Sequence, residues 1–291
     1  MKKIICFIVA LFWAANVFAQ GNIISQPVDI VPERDFDHEV WGNAETETIP
    51  LNPQNLQNPT FNEPTVHEIK VHAIHNDETI GLMLEWEDET KNERLTPDES
   101  PDQVAIQVPF DADPPPSFMM GNRGGPVHIL NWKAVWQKDI EEGFAGIKEL
   151  YPNYWVDIYP MMESEGDGQE RYPKELPLQD FLDKEEAKMF IPGVYAENPM
   201  SIYNREEPAE EAIAEGFGTL TSLNELHCTA WGTWKDGTWR VILTRPLEPE
   251  SENVAPIPES TVISFAVWDG EAGNQGARKH YTRWVDLEIS Q

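Results

Sequence analysis

Two stretches of this chain alternate apolar and polar residues with period two and then turn straight back, a pattern that demands antiparallel β-structure. In the first, Val66-His67-Glu68-Ile69-Lys70-Val71-His72-Ala73-Ile74 alternates, His75-Asn76-Asp77-Glu78 turns, and Ile80-Gly81-Leu82-Met83-Leu84-Glu85-Trp86 returns. In the second, Leu226 to Trp234 and Trp239 to Arg245 flank Lys235-Asp236-Gly237, whose Asp-Gly pair suits a tight hairpin turn. Further strands are predicted at Val104–Val108, Val127–Trp132, Val262–Trp268 and Trp284–Ile289. Helical spacing of Val135, Ile140, Phe144, Ile147 and Leu150 predicts one helix over 134–150, and a short one is predicted at 178–189. The fold class expected is mainly β, an antiparallel β-sandwich with a few peripheral helices and long loops.

A length of 291 residues allows one large domain, and 24 Pro, 18 Gly and 11 Trp suit a turn-rich β protein rather than a helical bundle or coiled coil. The predicted organisation has four parts. Residues 1–19 read as a secretory signal peptide: Met1-Lys2-Lys3, a short apolar run, and Ala19 at the cut. Residues 20–63, rich in Pro, Asn and acid, read as an extended N-terminal arm. Residues 64–291 form the β-sandwich domain, with an irregular, partly helical insertion at about 134–215. No later segment has the length and apolarity to cross a bilayer.

With 21 Lys plus Arg against 51 Asp plus Glu, the net charge is −30, and cleavage after Ala19 removes two more lysines. Such a surface repels phosphate backbones, which excludes nucleic acid as a partner. Export leaves Cys228 as the sole cysteine, so neither an internal disulfide nor a cysteine-bound iron–sulfur cluster can form, and no Cys-x-x-Cys-His attaches a haem covalently. Cys228 itself reads as a packed thiol in a strand.

Gly-x-Ser-x-Gly, His-Glu-x-x-His and phosphate-loop motifs are missing. Carboxylate pairs such as Glu85 and Asp88 are expected on a solvated face in so acidic a chain. His67 and His72 are an odd number apart and face opposite sides of a strand, which argues against a zinc trio with His75, while His128 and His227 read as structural. Two loops stand out. Asp113-Pro114-Pro115-Pro116-Ser117-Phe118-Met119-Met120-Gly121-Asn122-Arg123-Gly124-Gly125-Pro126 projects two thioethers from a segment stiff on one side and pliant on the other, and thioether sulfur suits haem iron. Gly270 to Trp284 carries Lys279, whose amine becomes a nitrogen donor once desolvation removes its proton.

These pieces, with Ile49-Pro50-Leu51-Asn52-Pro53-Gln54, Leu84-Glu85-Trp86-Glu87-Asp88, Pro126-Val127-His128-Ile129-Leu130-Asn131-Trp132, Ala214-Glu215-Gly216-Phe217-Gly218-Thr219-Leu220 and Lys279-His280-Tyr281-Thr282-Arg283-Trp284, occur in an order that is specific. From about residue 41 onward the chain resembles the haem-b gamma subunits of periplasmic molybdoenzymes, the group containing ethylbenzene dehydrogenase, dimethylsulfide dehydrogenase, chlorate and selenate reductases and relatives of nitrite oxidoreductase. The resemblance implies one non-covalent haem b in the sandwich, with Met120 and Lys279 as axial iron ligands and Met119 as the alternative to Met120. It further implies a periplasmic electron-transfer subunit without a substrate site of its own, serving a molybdenum-containing catalytic subunit and an iron–sulfur subunit and exchanging electrons with a soluble cytochrome c. The competing expectation is a secreted carbohydrate-binding module, since Trp-rich β-sandwiches also bind sugars.

Overall fold

The alternating segments pair as their pattern requires. A computed structural model describes residues 21–145, 150–153, 192–196, 198, 201–202 and 205–290. The signal peptide predicted at 1–19 and the helix predicted at 178–189 lie outside them. Among the described residues the strands are β1 (Asn22–Pro27), β2 (Thr46–Pro50), β3 (Asn52–Pro53), β4 (Glu68–His75), β5 (Thr79–Glu87), β6 (Gln103–Pro109), β7 (Val127–Lys133), β8 (Ala209–Ala214), β9 (Thr221–Ser222), β10 (Thr229–Lys235), β11 (Thr238–Pro246), β12 (Ser260–Trp268), β13 (His280–Tyr281) and β14 (Val285–Ile289). Helices α1 (Glu39–Asn43), α2 (Ala134–Glu142) and α3 (Pro192–Tyr195) are peripheral and short.

The molecule is mainly β. Its strands run β10-β11-β5-β4-β1-β14-β12-β6-β7-β8-β9 in one sheet that curls so that two leaves share a core. Val71, Leu82, Leu84, Trp86, Val241 and Leu243 of the first leaf meet Val104, Ile106, Leu130, Trp132, Phe265 and Val267 of the second. Trp239 anchors the contact, its ring 4.9 Å from Trp132 edge-on and 6.2 Å from Trp86 in a stack. A buried aromatic at such a centre is worth about 3–5 kcal/mol against truncation. Gly232 is required there, because a Cβ on it would lie 2.3 Å from the Trp132 ring.

The Asp236-Gly237 turn joins β10 to β11 with both residues at positive φ, 52° and 79°, the two-residue hairpin geometry whose twist matches its strands. Several details depart from expectation: β1, β2 and β3 lie within the segment predicted as an extended arm, and β8 within the one predicted as an irregular insertion. The helix predicted to run to residue 150 stops at Glu142, where Gly143 takes φ 91° and its N–H returns to the Asp139 carbonyl at 3.0 Å. Pairing is also not wholly antiparallel: β1 lies parallel to both β14 and β4 and thereby joins the leaves. Parallel partners need no local turn, so period-two patterning carries no trace of them. Among the described residues, no helix is long and apolar enough to cross a membrane.

Candidate functional site

Residues of the second leaf alternate between two destinations. Val104, Ile106, Leu130, Trp132, Phe265 and Val267 enter the core, while Ala105, Gln107, Ile129, Asn131, Ala212, Ser264 and Ala266, on the opposite face, line a cavity of about 350 Å³. Small side chains at Ala105, Ala212, Ser264 and Ala266 leave room above the sheet. Phe118, Met119 and Met120 come from the loop between β6 and β7, Phe217 and Leu220 from the loop after β8, and Trp268, Lys279 and Tyr281 from the end of β12 onward. The sequence-predicted Met119, Met120 and Lys279 therefore line one cavity, although Met120 and Lys279 are far apart along the chain.

The methionine loop is held by hydrogen bonds to its backbone. Gly121 N–H donates to the Ser117 carbonyl (2.9 Å), Ser117 N–H to Asn122 Oδ1 (2.8 Å), Gly216 N–H to the Met120 carbonyl (2.7 Å), and Gln107 Nε2 to the Phe118 carbonyl (3.1 Å). Met120 takes a left-handed φ of 65°, rare for a residue with a long side chain, and Gly121 follows at 75°. Strain of this kind persists only where surrounding contacts over-determine it. At Gly121 a Cβ would lie 2.6 Å from the Gly125 carbonyl oxygen and 3.0 Å from that of Ala214. Gly121→Ala is accordingly expected to lower stability by about 2–4 kcal/mol, a loss checked by urea unfolding of the purified chain.

Lys279 is fixed just as firmly. Its carbonyl accepts from Gln54 N–H at 2.9 Å, and Gln54 Nε2 donates to the Ala277 carbonyl at 3.0 Å. The next residue, His280, accepts from Thr65 and Val66 N–H at Nε2 (3.0 and 3.1 Å) and lies 3.3 Å from the Val267 carbonyl at Nδ1. Two donors at Nε2 demand the neutral ring, and burial lowers the His280 pKa in the same sense. The Lys279 ammonium lies 4.8 Å from the Trp268 ring centre, and among the described residues no carboxylate pairs with it. Burial alone pushes its pKa down to about 8.

A second lysine at the same cavity contrasts with it. Lys133 Nζ lies 2.5 Å from Glu210 Oε2 and 3.9 Å from the Trp136 ring centre. Burial lowers its pKa, but Glu210 opposes that shift and keeps Lys133 a paired cation. Of the two amines, Lys279 is thus the one free to become a neutral nitrogen donor. The roles of Lys133, Glu210 and Gln107 at the cavity are missed by sequence reasoning, although outward strand positions carrying polar residues are the signal that marks them.

Elsewhere the histidines serve structure. His75 Nδ1 lies 2.9 Å from Ser25 Oγ, and His128 Nδ1 lies 3.2 Å from Arg245. Burial is the main cause that pushes the His128 pKa down to about 2, with Arg245 adding to it. Cys228 is buried just before β10 and donates to Glu211. Asp88, expected on a solvated face, is buried instead, because the turn after β5 folds it inward.

A family model described as ethylbenzene dehydrogenase matches residues 38–280. The chain is 19% identical over 289 residues to a respiratory nitrate reductase heme subunit of Haloferax mediterranei, covering 97% of this chain and 79% of that protein. It is 25% identical over 117 residues to the dimethylsulfide dehydrogenase subunit gamma of Rhodovulum sulfidophilum, covering 36% of this chain and 44% of that one. Among solved structures, a family 9 carbohydrate-binding module from Caldicellulosiruptor kristjanssonii aligns with a TM-score of 0.39 at 10% identity, over 92% of this chain and 95% of the module.

Proposed function

The chain belongs to the ethylbenzene dehydrogenase family, and from that premise we propose that it is a periplasmic electron-transfer subunit carrying one non-covalent haem b. The names of its relatives, a heme subunit and a gamma subunit of a dehydrogenase, point the same way. In this reading its partners are a molybdenum-containing catalytic subunit and an iron–sulfur subunit, and it exchanges electrons with a soluble cytochrome c. The observation that carries the proposal is the meeting of a carboxylate-free Lys279 and two thioethers at one largely apolar cavity.

The residues present fit the group. Nitrogen and thioether sulfur are donors that haem iron accepts, the lining is mostly apolar, and the cavity volume lies in the range of small-molecule sites, about 300–1,000 Å³. Bound there, a haem supplies reversible one-electron transfer at its iron. Lys279 and Met120 would hold the iron, Met119 being the alternative to Met120, and the haem would serve electron transfer rather than a substrate. Before it can bind, Lys279 must release its proton, and burial already makes that release easier. Phe217 and Leu220, 45% and 50% exposed, would help shield the cavity from water. A net charge of −30 would steer a basic cytochrome toward the subunit, an effect that fades with salt.

The absorbance of protein made with ample haem tests the proposal. A reducible low-spin haem band is expected; Met120→Leu should convert it to high spin or empty the site, and Met119→Leu should leave it unchanged. A larger spectral change in Met119→Leu would reassign the ligand within the pair. Colourless protein that binds polysaccharide would overturn the reading in favour of a carbohydrate-binding module.

A further inference from the structure

Away from the cavity, three carboxyls meet inside the protein. Asp88 follows β5, Asp102 precedes β6 and Asp269 follows β12, and oxygens of all three lie within 4.8 Å of one another. They are 7%, 0% and 7% exposed. Among the described residues none of them pairs with a cation, and Lys91, the nearest in sequence, is committed to Glu93 at 2.5 Å. Buried carboxylates without a counter-charge are costly, so the cluster must either trap protons or hold a positive ion.

Hydrogen bonding favours the ion. Asp102 accepts at Oδ1 from Gly270 N–H (2.8 Å) and at Oδ2 from Asn92 N–H (2.7 Å) and Trp239 Nε1 (2.9 Å). Asp88 Oδ1 accepts from Thr90 N–H (3.1 Å) and Oγ1 (3.3 Å), and Asp269 Oδ1 accepts from Ala272 N–H (3.2 Å). These donors orient the carboxyls and favour their ionised forms. Asp88 Oδ2 is different: it is fully buried and no N–H or O–H donor reaches it, the Asp88 carboxyl lying against that of Asp102. A buried acceptor left so in a native interior calls for an explanation, and an ion bound among the three carboxyls provides one.

We propose that Asp88, Asp102 and Asp269 bind one Ca²⁺ ion. Every candidate donor is a hard oxygen, which disfavours zinc and copper. Separations within 4.8 Å suit calcium–oxygen bonds of about 2.3–2.6 Å on opposite sides of an ion. Magnesium gives up its water reluctantly and fits a buried all-protein cage less well. Thr90 Oγ1, 2.8 Å from Asn92 Oδ1, adds neutral oxygens beside Asp88. In the absence of an ion, burial and the neighbouring acids raise Asp88 to about 6 and Asp102 to about 8. The ion would tie the segments following β5 and preceding β6 to Asp269, the first residue of the stretch that leads to Lys279.

Terbium alone, titrated into chelator-treated full-length protein in 0.15 M salt, tests this. Trp239 and Trp234, whose indole N–H groups reach the Asp102 carboxylate and the Asp88 carbonyl, should sensitise its emission. Expected are saturation at one ion per chain, displacement by Ca²⁺ at far lower concentration than by Mg²⁺, and a Ca²⁺-dependent rise in melting temperature. Asp269→Asn and, independently, Asp88→Asn should weaken Ca²⁺ binding by about 100-fold, since each removes a ligand charge, while Asp98→Asn on the exposed loop should not. If the unmodified protein shows no saturable sensitised site, or if both variants bind as tightly as it does, the proposal is wrong and Asp88 and Asp102 share a proton instead. None of these measurements requires haem, so the outcome stands apart from the function proposed above.

Discussion

Lys279→Ala is expected to yield folded protein whose haem affinity falls by upwards of about 100-fold, with any residual haem high spin. The reason is specific to this lysine. Its amine faces the cavity with no carboxylate to hold its proton, whereas Lys133 across the same cavity is bound to Glu210. The substitution leaves the loop's anchors in place, because Gln54 and His280 hold backbone rather than the lysine side chain. Stability separates loss of a ligand from misfolding. Without haem, Lys279 is a half-buried cation with a lowered pKa, so removing it should leave the haem-free chain at least as stable at pH 7. Haem titration followed by absorbance, beside thermal unfolding of the haem-free chain, measures both effects. Unchanged haem binding in Lys279→Ala would rule this amine out as a ligand.

The second large effect is a dependence of haem binding on pH. With the lysine pKa at about 8, ligation below that value releases a proton, and the apparent affinity should rise about tenfold for each unit between pH 6 and pH 8, then level off. For stability the sign follows from a cation whose pKa falls on folding. The unfolded chain, with a lysine pKa near 10.4, binds more protons than the folded one between about pH 8 and 10.4, so this residue makes the haem-free protein more stable as pH rises through that window. In Lys279→Ala both the slope of haem affinity and this contribution to stability should vanish. Haem titrations at several pH values, run on both proteins at constant ionic strength, provide the check. An affinity slope that persists in the variant would place the titrating group elsewhere.

Much of the fold is legible in the residues alone. The hairpins of β4 with β5 and β10 with β11 follow from period-two alternation across turn residues, and Asp236-Gly237 specifies the tighter of the two turns. The end of α2 is not, because the apolar spacing continues past the point where Gly143 leaves the helix. Nor is the place of β1 between β4 and β14, since a parallel partner is chosen by docking rather than by a neighbouring turn.

The site divides in the same way. Met119, Met120 and Lys279 attract notice because soft sulfur and an amine in constrained loops are unusual chemistry. The floor beneath them attracts none, because Ala105, Ala212, Ser264 and Ala266 are unremarkable until β6, β8 and β12 bring them to one face. Asp88, Asp102 and Asp269 are likewise lost among 51 acids.

By itself the sequence determined the hairpin strands, their facing and the candidate side chains, because alternation and residue chemistry act over a few residues. Tertiary structure alone decided which distant donors share a cavity, which lysine keeps a carboxylate and which acids lose their water, because burial and charge pairing depend on neighbours that the order of residues does not name.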